Sequence, residues 1–318
     1  MRALAGFIMG GRAQATLTAA ALALLTLQAP VFGVMSSAIM GVLSILSSSV
    51  IGLVTLRHGA REGLLVGVFA ALGAGLLILV LQGNAAPVAG FLLVLWLPVW
   101  VLGTLLRASR SLGMTLQAGL GFGLLLVLML YLQMGDPQQQ WREMLQPLGD
   151  AFVENQLFDS AQKDLFVQML SSWMTGIMAA GFYLQLLLAL LLARFWQAQL
   201  YNPGGFRQEF RELRSSRSLA ILTAMLLALA LLRGGEAPGF VRDLGLLLGA
   251  LFLLQGLAVA HGVVAASGMK VGWLVALYLL LFLAMPHAAM LIALAGLVDC
   301  FADFRGRVGP RQSSSGGS

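Results

Sequence analysis

The chain alternates between long apolar runs and short polar breaks, and the lengths of the runs predict its structural elements. A helix needs about 20 mostly apolar residues to cross a bilayer. Measured against that length, the pattern predicts nine spans, at residues 13–29, 34–56, 63–82, 87–106, 112–134, 166–193, 218–233, 244–267 and 271–298. We therefore expect an all-α, polytopic membrane protein with nine to ten transmembrane segments.

Two of the polar breaks are long enough to have their own organisation. In residues 135–165, apolar side chains recur at helical spacing from Trp141 to Val153. This predicts an amphipathic helix on the membrane surface, interrupted at Pro147. Residues 194–217 carry Arg207, Arg211, Arg214 and Arg217. Such a basic segment is typical of a loop that meets an anionic leaflet or a protein partner.

The last apolar run, 271–298, has two interpretations. As one straight helix it is long, and it contains Pro286, which removes a backbone donor and kinks or breaks a helix. Either one kinked span or two short helices breaking at Met285–His287 fits the pattern. The two-helix alternative returns the C-terminus to the side of the arginine-rich loop. The predicted segments are thus 1–193, 194–217, 218–304 and a disordered tail at 305–318.

The composition agrees with a lipid environment. Charged residues make up 10% of the chain and hydrophobic residues 59%, against about 25% charged in soluble proteins. A single cysteine, Cys300, excludes an intramolecular disulfide. Residues 1–30 imitate a signal peptide but contain no convincing cleavage site, so we expect an uncleaved first helix.

The distribution of charge predicts an orientation. With a cytoplasmic N-terminus, the inner loops hold 12 basic and 3 acidic residues, and the outer loops hold 4 basic and 8 acidic residues. Cytoplasmic loops of membrane proteins carry the excess of Lys and Arg. The basic residues form no stripe interleaved with aromatics, which argues against nucleic acid as a partner.

Small residues line one face of two predicted helices. After the turn Arg57–Glu62, in which Gly59 permits a positive φ, four small residues follow at intervals of four: Gly63, Gly67, Ala71 and Gly75. The first span has Ala15, Ala19 and Ala23 at the same interval. Such faces let helix backbones approach closely. They serve either packing within the chain or docking of a partner subunit.

Three passages carry a family resemblance: "LRHGAREGLLVG", "NPGGFRQEFRELRSSR" and "LAGLVDCFADFRGR". With these the chain resembles the YybS-like bacterial membrane proteins, which implies the bacterial inner membrane. A further similarity is implied, to the substrate-binding (S) components of energy-coupling-factor vitamin transporters. Residues 13–193 match their six-helix plan, and the alanine-spaced first helix matches their docking motif. The later helices are an addition that S components lack.

A search for catalytic signatures returns none. The chain has no Walker-type phosphate loop, no HExxH, no GxSxG and no paired His/Cys spacing. We therefore expect no enzyme activity, no cofactor and no metal site.

Five residues are candidates for binding a small solute. Polar residues inside a membrane protein mark binding sites more often than elsewhere. Gln82 and Asn84 are expected at the outer end of the third span, and Trp96 and Trp100 lie one turn apart on the fourth. His287 follows Pro286, where a broken helix would free backbone carbonyls. Helix packing is the alternative for both tryptophans, and satisfying the freed carbonyls is the alternative for His287.

Two functions follow from these observations. The first is transport-related binding or permeation of a small solute within the helical bundle. The second is a scaffold or assembly factor that docks a membrane protein partner, or a second copy of the chain, through the arginine-rich loop. With either function, the protein is expected to lie in the lipid bilayer.

Overall fold

The protein is described by a computed structural model that covers residues 2–28, 36–233 and 238–308. In these ranges the regular structure is helical throughout. In chain order the helices are α1 (Arg2–Ile8), α2 (Arg12–Gln28), α3 (Ser36–His58), α4 (Ala60–Gln82), α5 (Ala86–Phe91), a π-helical turn (Leu92–Trp96), α6 (Leu97–Ser109), α7 (Leu112–Met134), α8 (Pro137–Glu154), α9 (Ser160–Tyr201), α10 (Gly205–Arg211), α11 (Arg217–Leu232), α12 (Gly239–Ala266), α13 (Gly272–Leu283), α14 (His287–Ala302) and α15 (Phe304–Val308).

The expected all-α, polytopic architecture is confirmed. Among the described residues, six helices are long and apolar enough to cross a membrane, or seven if the bent pair α1–α2 is counted as one span. The six are α3, α4, the composite helix from Ala86 to Ser109, α7, α9 and α12. Where the structure describes them, the nine predicted spans lie on helices, but the last is divided between α13 and α14, and α11, α13 and α14 are shorter apolar helices. The count by length is therefore lower than the nine to ten expected from hydropathy.

Contacts divide the chain into two compact units, each built from two stretches of sequence. The first unit comprises Met1–Phe122 and Gly181–Gln208, and the second comprises Gly123–Ala180 and Glu209–Ser318. The boundaries fall within α7, α9 and α10.

The turn between α3 and α4 is formed as the sequence predicts. Gly59 is the single residue between the two helices, and its φ of 104° lies in the region that favours glycine. Arg107 of α6 donates from Nη1 to the carbonyl oxygens of Leu56 and Arg57, at 2.8 and 2.9 Å. These bonds satisfy carbonyl groups that the end of α3 leaves without a partner in the helix.

The alanine stripe of α2 packs within the chain. Ala15, Ala19 and Ala23 are each at most 1% exposed. Ser47 of α3 donates its hydroxyl to the Ala19 carbonyl at 2.8 Å, an approach that a larger side chain on this face would hinder. The contact supports the packing alternative for this stripe.

The stripe on α4 is tight at one end only. A Cβ added at Gly63 would lie 1.9 Å from Oγ1 of Thr55 in α3. At Gly67 and Gly75 the nearest atoms would be 3.8 and 3.9 Å away, an ordinary van der Waals distance. The buried face of α4 continues through Ala70, Ala74 and Ile78, so Ala71 lies at its edge. The sequence identified the face, but the close approach is confined to Gly63.

The fourth predicted span contains the π-helical turn, directly before Pro98. Proline has no amide hydrogen and its ring collides with the preceding turn of an α-helix. A π-helical turn widens the helix and is one of the known ways of accommodating such an interruption. It ends at Trp96, which is turned into the core of the first unit.

In the second unit, most of the polar stretch 135–165 forms α8, which is a continuous helix. The predicted interruption at Pro147 is wrong, because the proline lies inside the 18-residue helix. Asp136 caps the first turn by accepting from the Gln139 amide at 3.2 Å. Gly149 lies against Lys163 and Val167 of α9, so α8 is held against the beginning of that helix.

The last apolar run is two helices that break at Ala284–Pro286. Gly256 of α12 lies against Gly296 of α14, and Gly262 lies against Arg305 just beyond it. In these two contacts, a higher residue number on α12 meets a higher residue number on or after α14, so the two helices run in the same direction. The two-helix alternative is therefore the correct one, and α14 ends beside the C-terminal part of α12.

The predicted disordered tail begins too early. Residues 305–308 belong to α15, and Arg305 makes hydrogen bonds to the segment after α10. The remainder of that prediction, residues 309–318, lies outside the described residues.

Candidate functional site

The four solute-binding candidates of the first unit are not brought together. Trp96 is 1% exposed, and its indole Nε1 donates to the Ser47 hydroxyl at 3.1 Å. Trp100 donates to the Ala60 carbonyl, at the beginning of α4, at 2.7 Å. Gln82 lies at the other end of α4, which is about 34 Å long for its 23 residues.

The polar groups of these candidates also have other partners. Gln82 is exposed as the last residue of α4. The Asn84 side-chain oxygen accepts from the Ala86 amide at 2.9 Å, which forms a local turn just before α5. Buried tryptophans usually find an acceptor for the indole N–H, and both tryptophans have done so within the chain. The geometry thus favours the packing alternative for Trp96 and Trp100.

His287 lies in the second unit and is exposed. It is the first residue of α14, directly after the break at Pro286. The carbonyl of Pro286 accepts from the Met290 amide at 3.0 Å, and the Ala284 carbonyl accepts from Ala288 at 2.9 Å. These backbone groups are therefore satisfied without the imidazole.

The second unit contains a buried carboxylate that the sequence interpretation did not select. Asp243, in the first turns of α12, is 2% exposed. Its Oδ2 accepts from the Tyr131 hydroxyl of α7 at 2.9 Å. Its Oδ1 is buried and makes no hydrogen bond of ordinary geometry, although the Gly176 backbone of α9 lies beside the carboxyl group. A buried carboxylate oxygen without a partner is unfavourable when the group is ionised, so this atom calls for a proton, a cation or a polar ligand.

Glycine makes room for this carboxylate in α9. A Cβ added at Gly176 would lie 2.9 Å from both the Cα and the Oδ1 of Asp243. The ring of Phe240 meets that of Tyr131 edge to face, with centroids 5.6 Å apart. Three helices, α7, α9 and α12, thus converge on one carboxyl group.

The neighbouring charge on the same helix is turned to an aromatic ring. The Arg242 guanidinium lies over the ring of Trp173 at 5.3 Å, a cation–π distance. Its Nε is buried without a hydrogen-bond partner. Thr175 lies two residues after Trp173 on α9. Its hydroxyl accepts a hydrogen bond from the indole Nε1 of Trp141 in α8, at 2.9 Å. Arg242 is the charged group nearest in sequence to Asp243, yet the carboxylate's hydrogen bond comes from a neutral phenol.

The arginine-rich segment is tied to the ends of α12 and α14 by one residue. Arg305 donates from Nη1 to the carbonyl oxygens of Arg211 and Leu213, at 2.6 and 2.9 Å. From Nη2 it donates to Oδ2 of Asp299 at 2.6 Å. Asp299 and Arg305 lie six positions apart, on either side of the end of α14. Asp299 also accepts from the Phe304 amide at 3.0 Å, the first amide of α15.

A second buried polar residue fixes the same segment. Gln255, 0% exposed, accepts from the Ser215 amide at 2.8 Å and donates to the Gly296 carbonyl at 2.9 Å. Of the four loop arginines, Arg207 belongs to the first unit, whereas Arg211, Arg214 and Arg217 belong to the second. Arg214 pairs with Asp303 at 2.6 Å, and both side chains are about half exposed.

Sequence reasoning missed Asp243 and Gln255 for different reasons. Asp243 was counted with an outer loop, although Gly239 begins a helix of 28 residues that includes it. A single acidic residue at the edge of an apolar run was the available signal. Gln255 is a lone polar residue in the middle of that run, which is a recognisable marker. Among the described residues, no group of three or more His, Cys, Asp or Glu side chains is arranged to hold a metal ion.

The protein is a polytopic, all-α integral membrane protein. Its features are apolar helices of membrane-spanning length, polar side chains buried between them and an arginine-bearing segment at their ends. Within that class, the chain belongs to the DUF2232 family, described as a predicted membrane protein, whose family model matches residues 17–300. No curated protein and no solved structure matches the chain. The resemblance to YybS-like proteins and S components stays a prediction.

Proposed function

We propose that this protein has a transport-related function, in which a small solute is bound or passed within the helices of the second unit. The observation that carries this proposal is the carboxyl group of Asp243, buried among three helices with one oxygen unpartnered. Ionisable residues inside membrane proteins commonly belong to solute or proton pathways. This site replaces the set of Gln82, Asn84, Trp96 and Trp100, whose members lie apart.

The chemistry of the site limits what it would take. A carboxylate that accepts from Tyr131 has one free oxygen, which suits a proton, a cation or the donor group of a polar solute. The aromatic rings of Tyr131, Phe240 and Trp173 lie nearby and supply apolar surface. Ligand sites are mostly apolar with a few placed polar groups, which is the composition found here.

Thermal unfolding of the purified protein with a panel of small amines, vitamins and nucleobases tests the proposal. A ligand at a hundredfold excess over its Kd stabilises the folded state by about 2.7 kcal/mol. We expect at least one compound to raise the Tm of the wild type and not that of Asp243→Asn. Asp303→Asn is the matched control, because it makes the same change at a half-exposed carboxylate. A panel without any shift, or a shift that survives in Asp243→Asn, contradicts the proposal.

A second candidate function, docking of a protein partner through the arginine-rich segment, has its own support. Hydrogen bonds from Arg305 and to Gln255 hold the backbone of this segment in place, while Arg214 and Arg217 stay exposed. A fixed basic surface suits an acidic partner. Isolation in mild detergent followed by mass spectrometry tests this: a partner should be retained by the wild type and lost in Arg214→Gln/Arg217→Gln. Recovery of the same proteins with both chains would exclude the surface as the docking site.

A further inference from the structure

A cavity of about 400 Å³ lies where the arginine-rich segment meets the ends of α12 and α15. Three arginines line it: Arg211 and Arg214 from the segment, and Arg305 from α15. Its volume falls in the range of small-ligand sites, about 300–1,000 Å³. The solute site at Asp243 shares no lining residue with it, so the two sites stand on separate observations.

Two of these arginines have a buried donor without an acceptor. Nε of Arg211 and Nε of Arg305 are each inaccessible to solvent and make no hydrogen bond. The rest of the Arg305 guanidinium is occupied by two carbonyls and Asp299, and its side chain is 9% exposed. Buried donors in native proteins are nearly always paired, and each exception asks for an explanation such as an ion. An anion in the cavity would supply the missing acceptors.

The wall from α12 is made of small residues. Gly262, Ala265 and Ala266 line the cavity on this side. A Cβ added at Gly262 would lie 2.8 Å from Cδ of Arg305, so glycine lets the stem of that arginine lie against the helix. The absence of larger side chains at these three positions leaves the space beside the guanidinium groups open.

Two of the three arginines around the cavity have a carboxylate partner in an ion pair. Asp299 neutralises Arg305, and Asp303 neutralises Arg214. Arg211 takes part in none of the ion pairs found in the described part of the chain. Glu212 also lines the cavity, but its side chain is exposed, whereas Arg211 is half-buried. The partly desolvated charged group among these two is therefore the Arg211 guanidinium.

We propose that this cavity binds a phosphate group, carried either by a lipid headgroup or by free inorganic phosphate. Guanidinium groups match phosphate oxygens in geometry and charge, and these hydrogen bonds are among the stronger ones in proteins. The arginine-rich segment is predicted to face the cytoplasm, where the leaflet is anionic. Basic pockets beside transmembrane helices on that side bind lipid headgroups.

The test uses the purified full chain in a non-ionic detergent and native mass spectrometry to measure binding. The probes are inorganic phosphate, a short-chain phosphatidylglycerol, and a short-chain diacylglycerol that lacks the phosphate. We expect the wild type to bind one of the two phosphate-bearing probes about tenfold more tightly than Arg211→Gln does. Arg217→Gln, an exposed arginine outside the lining, should bind like the wild type.

The remaining outcomes decide between sources or against the site. Binding of phosphatidylglycerol alone assigns the site to a headgroup, and binding of inorganic phosphate assigns it to the free ion. Ala265 is exposed, so we expect Ala265→Leu to fold. This variant keeps every arginine but narrows the cavity, and it should lose the same binding. Equal binding by the wild type, Arg211→Gln and Ala265→Leu overturns the proposal, as does diacylglycerol binding as tightly as phosphatidylglycerol.

Discussion

Arg305 and Asp299 form an ion pair at 2.6 Å in which the side chains are only 9% and 1% exposed. The two residues are close in sequence, but Arg305 also reaches the carbonyls of Arg211 and Leu213. One guanidinium group therefore holds the end of α14 and the arginine-rich segment in a single arrangement. Its removal would affect both.

Loss of Arg305 should destabilise the second unit strongly. Arg305→Gln would leave Asp299 buried without its charge partner, which typically costs about 3–5 kcal/mol. Thermal unfolding in detergent should show a large fall in Tm, and the double variant Asp299→Asn/Arg305→Gln should recover part of it. Arg307→Gln is the control, because Arg307 is exposed on the same short helix. A similar Tm for both single variants would show that the buried pair contributes little.

The crossing of α12 and α14 should tolerate no side chain at its centre. A Cβ at Gly256 would lie 1.9 Å from the Ile292 carbonyl oxygen, whereas nothing lies within 4 Å at Gly249 of the same helix. Gly256→Ala should therefore lower the folded yield and the Tm. Gly249→Ala should be neutral or stabilising by up to about 1 kcal/mol, since alanine favours helix. Size-exclusion profiles and unfolding curves of the two variants measure this, and equal behaviour would argue against the close crossing.

The small-residue stripe of α4 should be sensitive at one position. Gly63→Ala forces atoms against Thr55 of α3, while the Cβ of Gly67→Ala meets only Ile51, at 3.8 Å. Gly73→Ala, where nothing lies within 4 Å, is the control. We expect the Tm to fall for Gly63→Ala and to change little for the other two. Equal loss at Gly63 and Gly67 would mean that the whole stripe is closely packed.

Trp96 should contribute to the stability of the folded protein. Trp96→Phe removes the indole N–H that donates to Ser47 and leaves a smaller ring in a fully buried site. A lost buried hydrogen bond costs about 1–3 kcal/mol, and the reduced volume adds to that. Trp273→Phe, at a residue that is 62% exposed, should have little effect. If unfolding curves show no difference between the two variants, the hydrogen bond to Ser47 is not a stabilising contact.

Cysteine labelling should place α8 and the arginine-rich segment on opposite sides of the membrane. Single cysteines at Met144, Glu212 and Arg307, in a Cys300→Ser background, test the charge-based orientation. An impermeant reagent added to intact cells should label position 144 only. After the cells are opened, it should also label positions 212 and 307. Labelling of 307 together with 144 would contradict the parallel course of α12 and α14.

The class of the protein, its helices and the features that depend on neighbouring residues could be predicted from the sequence. Apolar run length is a local property, so the described parts of the predicted spans lie on helices. The positive φ of Gly59 and the pairing of Asp299 with Arg305 also follow from short spacings. Pro147 shows the limit even at this range, because tertiary contacts of α8 with α9 hold a continuous helix through it.

The pairing of helix faces could not be predicted in this way. Asp243 and Tyr131 are 112 positions apart, and Gln255 lies 40 positions from Ser215, so no local pattern relates them. A Cβ added at Gly296 would lie 2.6 Å from the Gly256 amide nitrogen, whereas one added at Gly63 of α4 would lie 3.1 Å from the Thr55 Cα. The physical reason is that helix pairing depends on the fit of whole faces. A single sequence records the residues of each face but not its partner.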